Sequence, residues 1–420
     1  MDKQSLGSES VVSAEREEWN RQIDLSLRHS IQAFAARWLP VVVKDSSMSV
    51  HHEEFIRSSW RTSRRDMLKV TNRVSYRSVF TLYIFGQTPV PLGVSEEEEM
   101  DGISSLVCSQ TALLQLQQLR GKMCQLNSLR VSSSGAGKPP RTSVNLDQKF
   151  LNLDTRAYWA AVVWDTSNAL ILNIRSSLTS GLKGACLEPV WRVVRAFLVG
   201  SFHAKSEDWR KRSVEISDHM ASQIVAAAAI CTTYTWRTIA SVKEALREGV
   251  EEDDLLFSWN AVLDAFDIFK ATVQPLLSSC ERRLHFLGQA ERLSWYQVVL
   301  HYHLGILILF DTMEAASRSD LLSQIPHKRP EAEQESFNVL KFGLESKYVI
   351  FGPLGSVGQR ISVSFVAIDP NPKYIAASVQ LMTKAFSRRY QEGSVTDEVH
   401  SSLLSTLREV SDQLARASRF

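Results

Sequence analysis

The sequence contains few of the residues that mark a disulfide-bonded or turn-rich protein. Among 420 residues there are only 12 prolines, 18 glycines and five cysteines. Little proline and glycine favours long helices over a β architecture. The cysteines are far apart and form no C-x-x-C pair, which excludes a locally assembled zinc site and predicts reduced thiols in a core. They are Cys108, Cys124, Cys186, Cys231 and Cys280.

The sequence also lacks an excess of charge of one sign. It has 48 basic and 46 acidic side chains, a formal net charge of +2, and the basic ones form no concentrated stretch. A footprint for nucleic acid is therefore missing, and we expect no direct DNA contact from this chain. The first residues, Met1 to Gln4, do not lead into the apolar segment of a secretory signal. We expect an intracellular protein.

Long hydrophobic runs are scarce. The longest, Val298 to Phe310, is interrupted by His301, Tyr302 and His303 and is too short to cross about 30 Å of hydrocarbon. We interpret it as a buried central helix and expect no association with a membrane. With 44% hydrophobic and 22% charged residues, the chain is able to bury a full core.

Helical periodicity continues through most of the chain. It predicts an all-α fold, a large irregular multi-helix array. Residues 346–368 are rich in β-branched side chains and predict one small hairpin at most. A stretch rich in serine, glycine and proline is typical of a flexible linker. We predict an N-terminal helical segment at 1–130, a linker at 131–152 and a main helical part at 153–420.

Two acidic runs stand at predicted helix starts. Ser95 and Glu98 form a capping box, which predicts a long helix from this point to about Leu129. The runs Glu96 to Glu99 and Glu251 to Asp254 place negative charge where a helix dipole favours it. We therefore interpret them as dipole complements and not as the paired magnesium sites of an all-helical enzyme.

Motifs for catalysis are incomplete or missing in the sequence. Gly135 to Lys138 lacks two residues of a phosphate-binding loop, and the glycines of 352–358 do not have dinucleotide-site spacing. His301 and His303 point about 200° apart on a helix, so they do not share a metal ion. No G-x-S-x-G sequence occurs. We predict no enzyme activity, no catalytic or DNA-binding residue, no metal ligand and no cofactor.

Tryptophans are the only group of side chains that suggests a ligand pocket. Aromatic residues at helical spacing more often belong to a core, so no single ligand-binding residue is assigned. The candidates are Trp159, Trp164, Trp191, Trp236, Trp259 and Trp295.

Two ordered blocks of residues carry a likeness to a known family. The first block runs from Ser59 to Ile103 and contains Ser-Trp-Arg-Thr-Ser-Arg-Arg-Asp, Thr-Pro-Val-Pro and an acidic helix start. The second block consists of Tyr158, Trp159, Asp165, Thr166, Ser167, Leu170, Leu172 and Arg175. In this order the blocks resemble the regulatory, or middle-homology, region of fungal zinc-cluster transcription factors. The resemblance runs from about residue 15 to the C-terminus.

The chain departs from that family in two places. The family often ends the second block in Gly-Arg-Pro, whereas Asn173-Ile174-Arg175-Ser176 stands here. The six-cysteine zinc cluster that normally precedes the region is not in this sequence. Zinc is therefore expected as a cofactor only if an upstream segment carries the missing cluster.

The resemblance implies a transcription regulator in the nucleus that acts through an effector or a partner. Other transcription factors or coregulators are the implied partners, and a dimer and a small-molecule effector are further options. The residues themselves leave two alternatives open. One is a non-transcriptional helical scaffold or ligand-binding protein, and a more remote one is an all-α enzyme.

Overall fold

A computed structural model describes residues 3–42, 49–133, 141–178, 189–211, 214–351 and 360–414. The chain divides into two compact units, one of residues 1–161 with 415–420 and one of residues 162–414. The predicted all-α class is confirmed, since both units are helical and the described residues contain a single pair of strands.

The first unit is an array of long helices. Helix α1 packs against α3 and α4, and α4 packs against α6. Its helices are α1 (Lys3–Ala36), α2 (Leu39–Val42), α3 (Ser49–Thr71), α4 (Tyr76–Gly86), α5 (Glu96–Met100), α6 (Ser105–Ser133) and the first part of α7 (Arg141–Ile171).

The boundaries between segments differ from the predicted ones. Residues 131–133 end helix α6 and residues 141–152 begin α7, so both ends of the predicted linker at 131–152 are helical. The glycines and lysine of the incomplete phosphate-loop sequence lie outside the described residues. The two units divide within α7, because the last turns of that helix pack with the second unit.

The long helix predicted after Ser95 is in fact two helices. The Ser95 hydroxyl accepts a hydrogen bond from the Glu98 amide at 3.1 Å, which confirms the predicted start. Helix α5 nevertheless ends at Met100, since Gly102 adopts a φ of +132° that a helix does not allow. The Ser104 hydroxyl then accepts from the Val107 amide at 3.2 Å and starts α6.

The second unit contains the remaining helices and the hairpin. Its helices after α7 are α8 (Pro189–Ala196), α9 (His203–Lys205), α10 (Asp218–Glu248), α11 (Glu252–Ile268), α12 (Gln274–Glu281), α13 (Gln289–Ala315), α14 (Ser319–Leu322), α15 (Lys328–Glu345), α16 (Phe365–Ile368), α17 (Pro372–Gln391) and α18 (Asp397–Gln413). The described residues of this unit also contain two π-helical segments (Phe197–Phe202 and Phe269–Val273) and two 3₁₀ turns (Asp208–Arg210 and Leu284–Phe286).

Helix α10 illustrates how local signals set helix limits. The Ser217 hydroxyl accepts a hydrogen bond from the Met220 amide at 3.3 Å at the start. At the end Gly249 takes the left-handed conformation with φ +62°, and its amide donates to the Ala245 carbonyl. A glycine directly after the last helical residue is a common helix stop.

Helix α13 lies at the centre of the second unit. It packs against α10, α15 and α17 and is buried along most of its length. Among the described residues it alone is long and apolar enough to cross a membrane, but 78% of its most apolar window is buried inside the protein. Such burial is typical of a core helix.

The predicted hairpin at 346–368 is confirmed. Strands β1 (Lys347–Phe351) and β2 (Arg360–Ser364) pair antiparallel, with Lys347 opposite Ser364. The glycines of 352–358, whose spacing does not fit a dinucleotide site, lie outside the described residues.

The cysteines fit the prediction of core thiols as far as their side chains are described. Cys108, Cys231 and Cys280 are free and buried. Burial raises the pKa of the Cys108 and Cys280 thiols to about 12, so these groups stay protonated. The Cys124 side chain and Cys186 lie outside the described part of the chain.

Two glycines of the second unit allow aromatic rings to approach the backbone of a neighbouring helix. A Cβ atom at Gly343 would lie 2.3 Å from Cε2 of Tyr296, and one at Gly305 would lie 2.7 Å from Cδ1 of Trp236. Both distances are far below van der Waals contact. The packing of α13 against α15 and α10 therefore requires residues without a side chain at both positions.

We expect Gly343→Ala to destabilise the second unit by about 1–3 kcal/mol, because the methyl group overlaps the buried Tyr296 ring. Urea unfolding followed by circular dichroism measures this change. Gly200→Ala is the matched control, since a Cβ there has nothing within 4 Å. Equal stability of the two variants would contradict the close packing.

Candidate functional site

Residues of the first block of the family likeness form hydrogen bonds between two helices of the first unit. The Arg61 guanidinium binds the Glu98 carboxylate through two hydrogen bonds of 2.6 and 3.0 Å. The Arg64 guanidinium donates to the backbone carbonyls of Glu98 and Glu99. Arg61 thereby lowers the pKa of the Glu98 carboxyl. These contacts hold α5 against α3, which is a structural role.

The second block ends in a turn that a buried carboxylate organises. Asp165 is 3% exposed and accepts hydrogen bonds from the Ser177 amide at 2.8 Å and the Leu178 amide at 2.9 Å. The Ser176 hydroxyl donates to the same carboxylate. Asn173 has a φ of +52°, a left-handed conformation that asparagine tolerates better than most residues. The chain therefore turns back towards α7 without the family's usual Gly-Arg-Pro.

Two basic side chains of α10 bind the C-terminal end of α7. The Lys243 ammonium group donates to the Leu170 carbonyl at 2.7 Å. One turn later, the Arg247 guanidinium donates to the Asn173 carbonyl at 2.8 Å. Carbonyls at a helix end lack intrahelical partners, and cations there interact favourably with the helix dipole. The 243/247 spacing places both groups on one face of α10.

Glu244 on the same helix meets the last residue of the second block. Its carboxylate is buried, and the Arg175 guanidinium lies 3.4 Å away. The turn after α7 is thus held by acidic and basic groups of α10.

Lys243 is a buried cation with a distant counter-charge. Its side chain is 8% exposed, and burial lowers its pKa to about 8. Asp311 on α13 opposes this shift, whereas Arg247 adds to it. The negative charge of Asp311 therefore favours the protonated form of Lys243, but less strongly than burial disfavours it.

Asp311 also faces solvent, where it forms an ion pair with Lys384 of α17. A groove with a volume of about 390 Å³ opens beside this pair, and we call it the α13–α17 groove. The Thr383 hydroxyl at its edge donates to the Val379 carbonyl at 2.8 Å. The groove is lined by Asp311, Gln380, Leu381, Thr383, Lys384 and Ser387.

An aromatic cluster joins four helices in the interior of the second unit. The Trp236 indole N–H donates to the His301 carbonyl at 2.8 Å. The Tyr374 ring stands perpendicular to the rings of Trp236 and His301, with centroids 5.4 and 4.9 Å away. The Tyr374 hydroxyl shares a hydrogen bond with Ser167 of the second block. Helices α7, α10, α13 and α17 therefore meet at this cluster.

The two histidines of α13 have different surroundings, as their spacing predicts. His301 faces Trp236 and Tyr374, whereas the His303 ring lies against Tyr302. Burial lowers the pKa of each imidazole to about 4, so both are neutral near pH 7. Among the described residues, no three His, Cys, Asp or Glu side chains are grouped so that they could hold a metal ion.

The tryptophans proposed as pocket candidates are mostly core residues. Trp191, Trp236, Trp259 and Trp295 are buried, and none of the six lines the α13–α17 groove. Both acidic runs lie in first turns, of α5 and of α11, as the dipole interpretation requires.

The structure brings together Asp165, Ser167, Leu170 and Arg175 of the second block. Sequence reasoning missed their partners on α10, together with Asp311 and Lys384. One weak signal pointed to Lys243 as a functional residue, because it is a basic side chain within a helix whose other residues are mostly buried. Asp311 and Lys384 gave none.

Comparisons of the chain with protein-family models, with curated protein sequences and with solved structures find no match.

We expect Asp165→Ala to destabilise the second unit by about 2–4 kcal/mol, because two partly buried amides and one buried hydroxyl lose their acceptor. Thermal unfolding measures the loss. Asp267→Ala, on an exposed position of α11, is the control and should change stability by less than about 0.5 kcal/mol. If both variants unfold alike, the carboxylate does not organise the turn.

Lys243 should make stability rise with pH in a defined window. Its pKa is about 8 in the folded protein and has an ordinary value of 10.5, so between these values the unfolded chain binds more protons. Stability therefore increases from pH 8 to pH 10.5, by on the order of 3 kcal/mol at most.

The measurement compares urea unfolding of the native protein and Lys243→Met across this pH range. The native protein should gain stability relative to the variant, because methionine has no proton to lose. Lys341→Met, at an exposed lysine of α15, is the control and should follow the native curve. A parallel course for native protein and Lys243→Met would show that burial does not disfavour the charged lysine.

Proposed function

We propose that this chain is a transcription regulator that responds to an effector or a partner in the nucleus. The two ordered blocks support this proposal through their resemblance to the regulatory region of fungal zinc-cluster factors. Other transcription factors or coregulators would be its partners and would supply the DNA contact.

One observation carries the proposal: the second block is connected to a solvent-facing groove. The Leu170 carbonyl accepts a hydrogen bond from Lys243, the negative charge of Asp311 favours the charged form of Lys243, and Asp311 lines the α13–α17 groove. A regulatory domain needs this kind of connection, because an effector acts only through contacts that differ between two states.

The regulatory step follows from the charges along this path. A ligand that takes Lys384 away from Asp311 leaves the carboxylate free to interact more strongly with Lys243. The charged lysine is then stabilised, and with it the contact to the end of α7. Occupied and empty grooves would thus favour different arrangements of the second block.

The groove equally suits a ligand-binding protein that acts outside transcription. The two functions differ in where the protein must be located. A regulator of transcripts has to reach the nucleus, whereas a cytosolic scaffold or ligand-binding protein does not.

A rescue experiment in the native organism separates these functions. The gene is deleted, and the deletion strain receives the native chain, a chain fused to a nuclear-export sequence, or a chain fused to an inactivated export sequence. Transcript profiling is the measurement. We expect deletion to change a set of transcripts and only the native and inactivated-export chains to restore them.

Two outcomes would count against a role in transcription. One is an unchanged transcript profile after deletion. The other is full rescue by the exported chain, which would favour the scaffold or ligand-binding function. The inactivated-export fusion controls for effects of the added sequence on folding.

A further inference from the structure

Helix α6 of the first unit has a solvent-facing side with an unusual composition. Its opposite side is buried, where Cys108, Leu113 and Leu116 are at most 4% exposed. Exposed sides of helices normally carry charged residues, whereas the centres of protein interfaces are depleted of them. Between residues 106 and 121 the exposed residues of α6 are apolar, glutamine or glycine. They form what we call the exposed α6 face, and they are Leu106, Val107, Gln110, Leu114, Gln117, Gln118 and Gly121.

The exposed α6 face has the spacing of a helix that packs along a second helix. Val107, Leu114 and Gly121 are seven residues apart. Gln110 and Gln117 stand three residues after the first two. A seven-residue repeat keeps one stripe of a helix turned towards its partner over several turns. Val107 and Leu114 are nevertheless 47% and 54% exposed, so no described helix of this chain covers the stripe.

Gly121 lies in the interior of α6 without a packing reason inside the chain. A glycine within a helix destabilises it relative to alanine. A Cβ atom at Gly121 would have nothing within 4 Å, whereas one at Gly343 would overlap the Tyr296 ring. No neighbour in the described part of the chain therefore requires a glycine at position 121. A second helix that approaches α6 closely at this point would require it.

The exposed α6 face is complementary to itself when two copies lie antiparallel. With Leu114 against Leu114 of a second copy, Val107 lies opposite Gly121 and Gln110 lies opposite Gln118, because each pair is equally far from the centre. A branched side chain then meets the gap above a glycine, and two glutamines meet as donor and acceptor. Each of these contacts occurs twice, as a two-fold axis requires.

The charges beyond the two ends of the face favour the antiparallel direction. Before the face, Glu96, Glu97 and Asp101 are exposed on and directly after α5. At the far end, Lys122 is exposed. Antiparallel copies bring Lys122 of each towards the acidic end of the other, whereas parallel copies would bring the two acidic ends together. Charge complementarity therefore selects a second copy in the antiparallel direction.

We propose that the exposed α6 face binds a second copy of this chain and forms an antiparallel, two-fold helix pair centred on Leu114. The contact from Val107 to Gly121 is about four helical turns long. Such a short contact, with glutamines beside the apolar residues, gives a weak and reversible dimer. The dimer forms whether or not the chain regulates transcripts, so it does not rest on the proposed function.

Sedimentation velocity of the purified full chain, over two orders of magnitude of concentration, tests for the dimer. We expect the sedimentation coefficient to rise from the value of a monomer towards that of a dimer. Leu114→Glu places two carboxylates at the two-fold axis and should keep the chain monomeric throughout. Leu68→Glu, at a leucine of α3 that is 65% exposed, is the matched control and should associate as the native chain does.

Two results would overturn the inference. One is a native chain that stays monomeric at every concentration, which would leave the exposed α6 face to a different protein. The other is a Leu114→Glu variant that dimerises like the native chain.

Gly121→Gln separates the interface from folding. Because the space around position 121 is open and glutamine is a better helix former, the variant should melt at or above the native Tm at concentrations where both are monomeric. In the dimer the new side chain takes the place of Val107 of the second copy, so association should weaken at least tenfold. Native-like association of Gly121→Gln would overturn the arrangement.

An exchange of charges tests the antiparallel direction. Lys122→Glu should weaken association several-fold, because it sets a negative charge beside the acidic end of the second copy. Asp101→Lys added to the same chain should restore part of the association, since opposite charges then face each other again. Parallel copies keep Asp101 and Lys122 apart and would show no restoration, a result that would overturn the proposed pairing.

Discussion

The polar contacts between the end of α7 and helix α10 depend on one constraint, the buried ammonium group of Lys243. A charged amine is expensive to remove from water unless protein groups replace its hydration. The Leu170 carbonyl supplies a hydrogen bond, and Asp311 supplies an opposite charge. Any change at Asp311 therefore changes the free energy of the charged lysine.

The helices around Lys243 are closely packed, so they have little room to move against one another. Trp236 lies against the backbone at Gly305, and Tyr296 lies against Gly343. These contacts fix the distances between α13 and its neighbouring helices, because a closer approach would make the rings overlap with the backbone. The Tyr374 hydroxyl adds a polar contact to Ser167 within the same interior.

The sequence predicts elements well where the signal is local and poorly where it is not. The capping serine Ser95 is found where expected, since a cap acts within one helical turn. The predicted helix beyond Ser95 fails because Gly102 has a positive φ beside the buried Arg64, a residue of another helix. Asp165 stood out only through the family likeness, and Lys384 looked like any exposed lysine.

By itself, the sequence determined the all-α class, the helix start at Ser95, the hairpin and the buried state of the described cysteines. Periodicity, caps and β-branched runs are properties of neighbouring residues, so they can be read directly along the chain. Only the tertiary structure decided that Lys243 donates to the end of α7 and that Asp311 pairs with Lys384 beside a groove. Electrostatic and hydrogen-bond partners are set by distance in space, and one helical pattern is compatible with many pairings of residues that are remote in sequence.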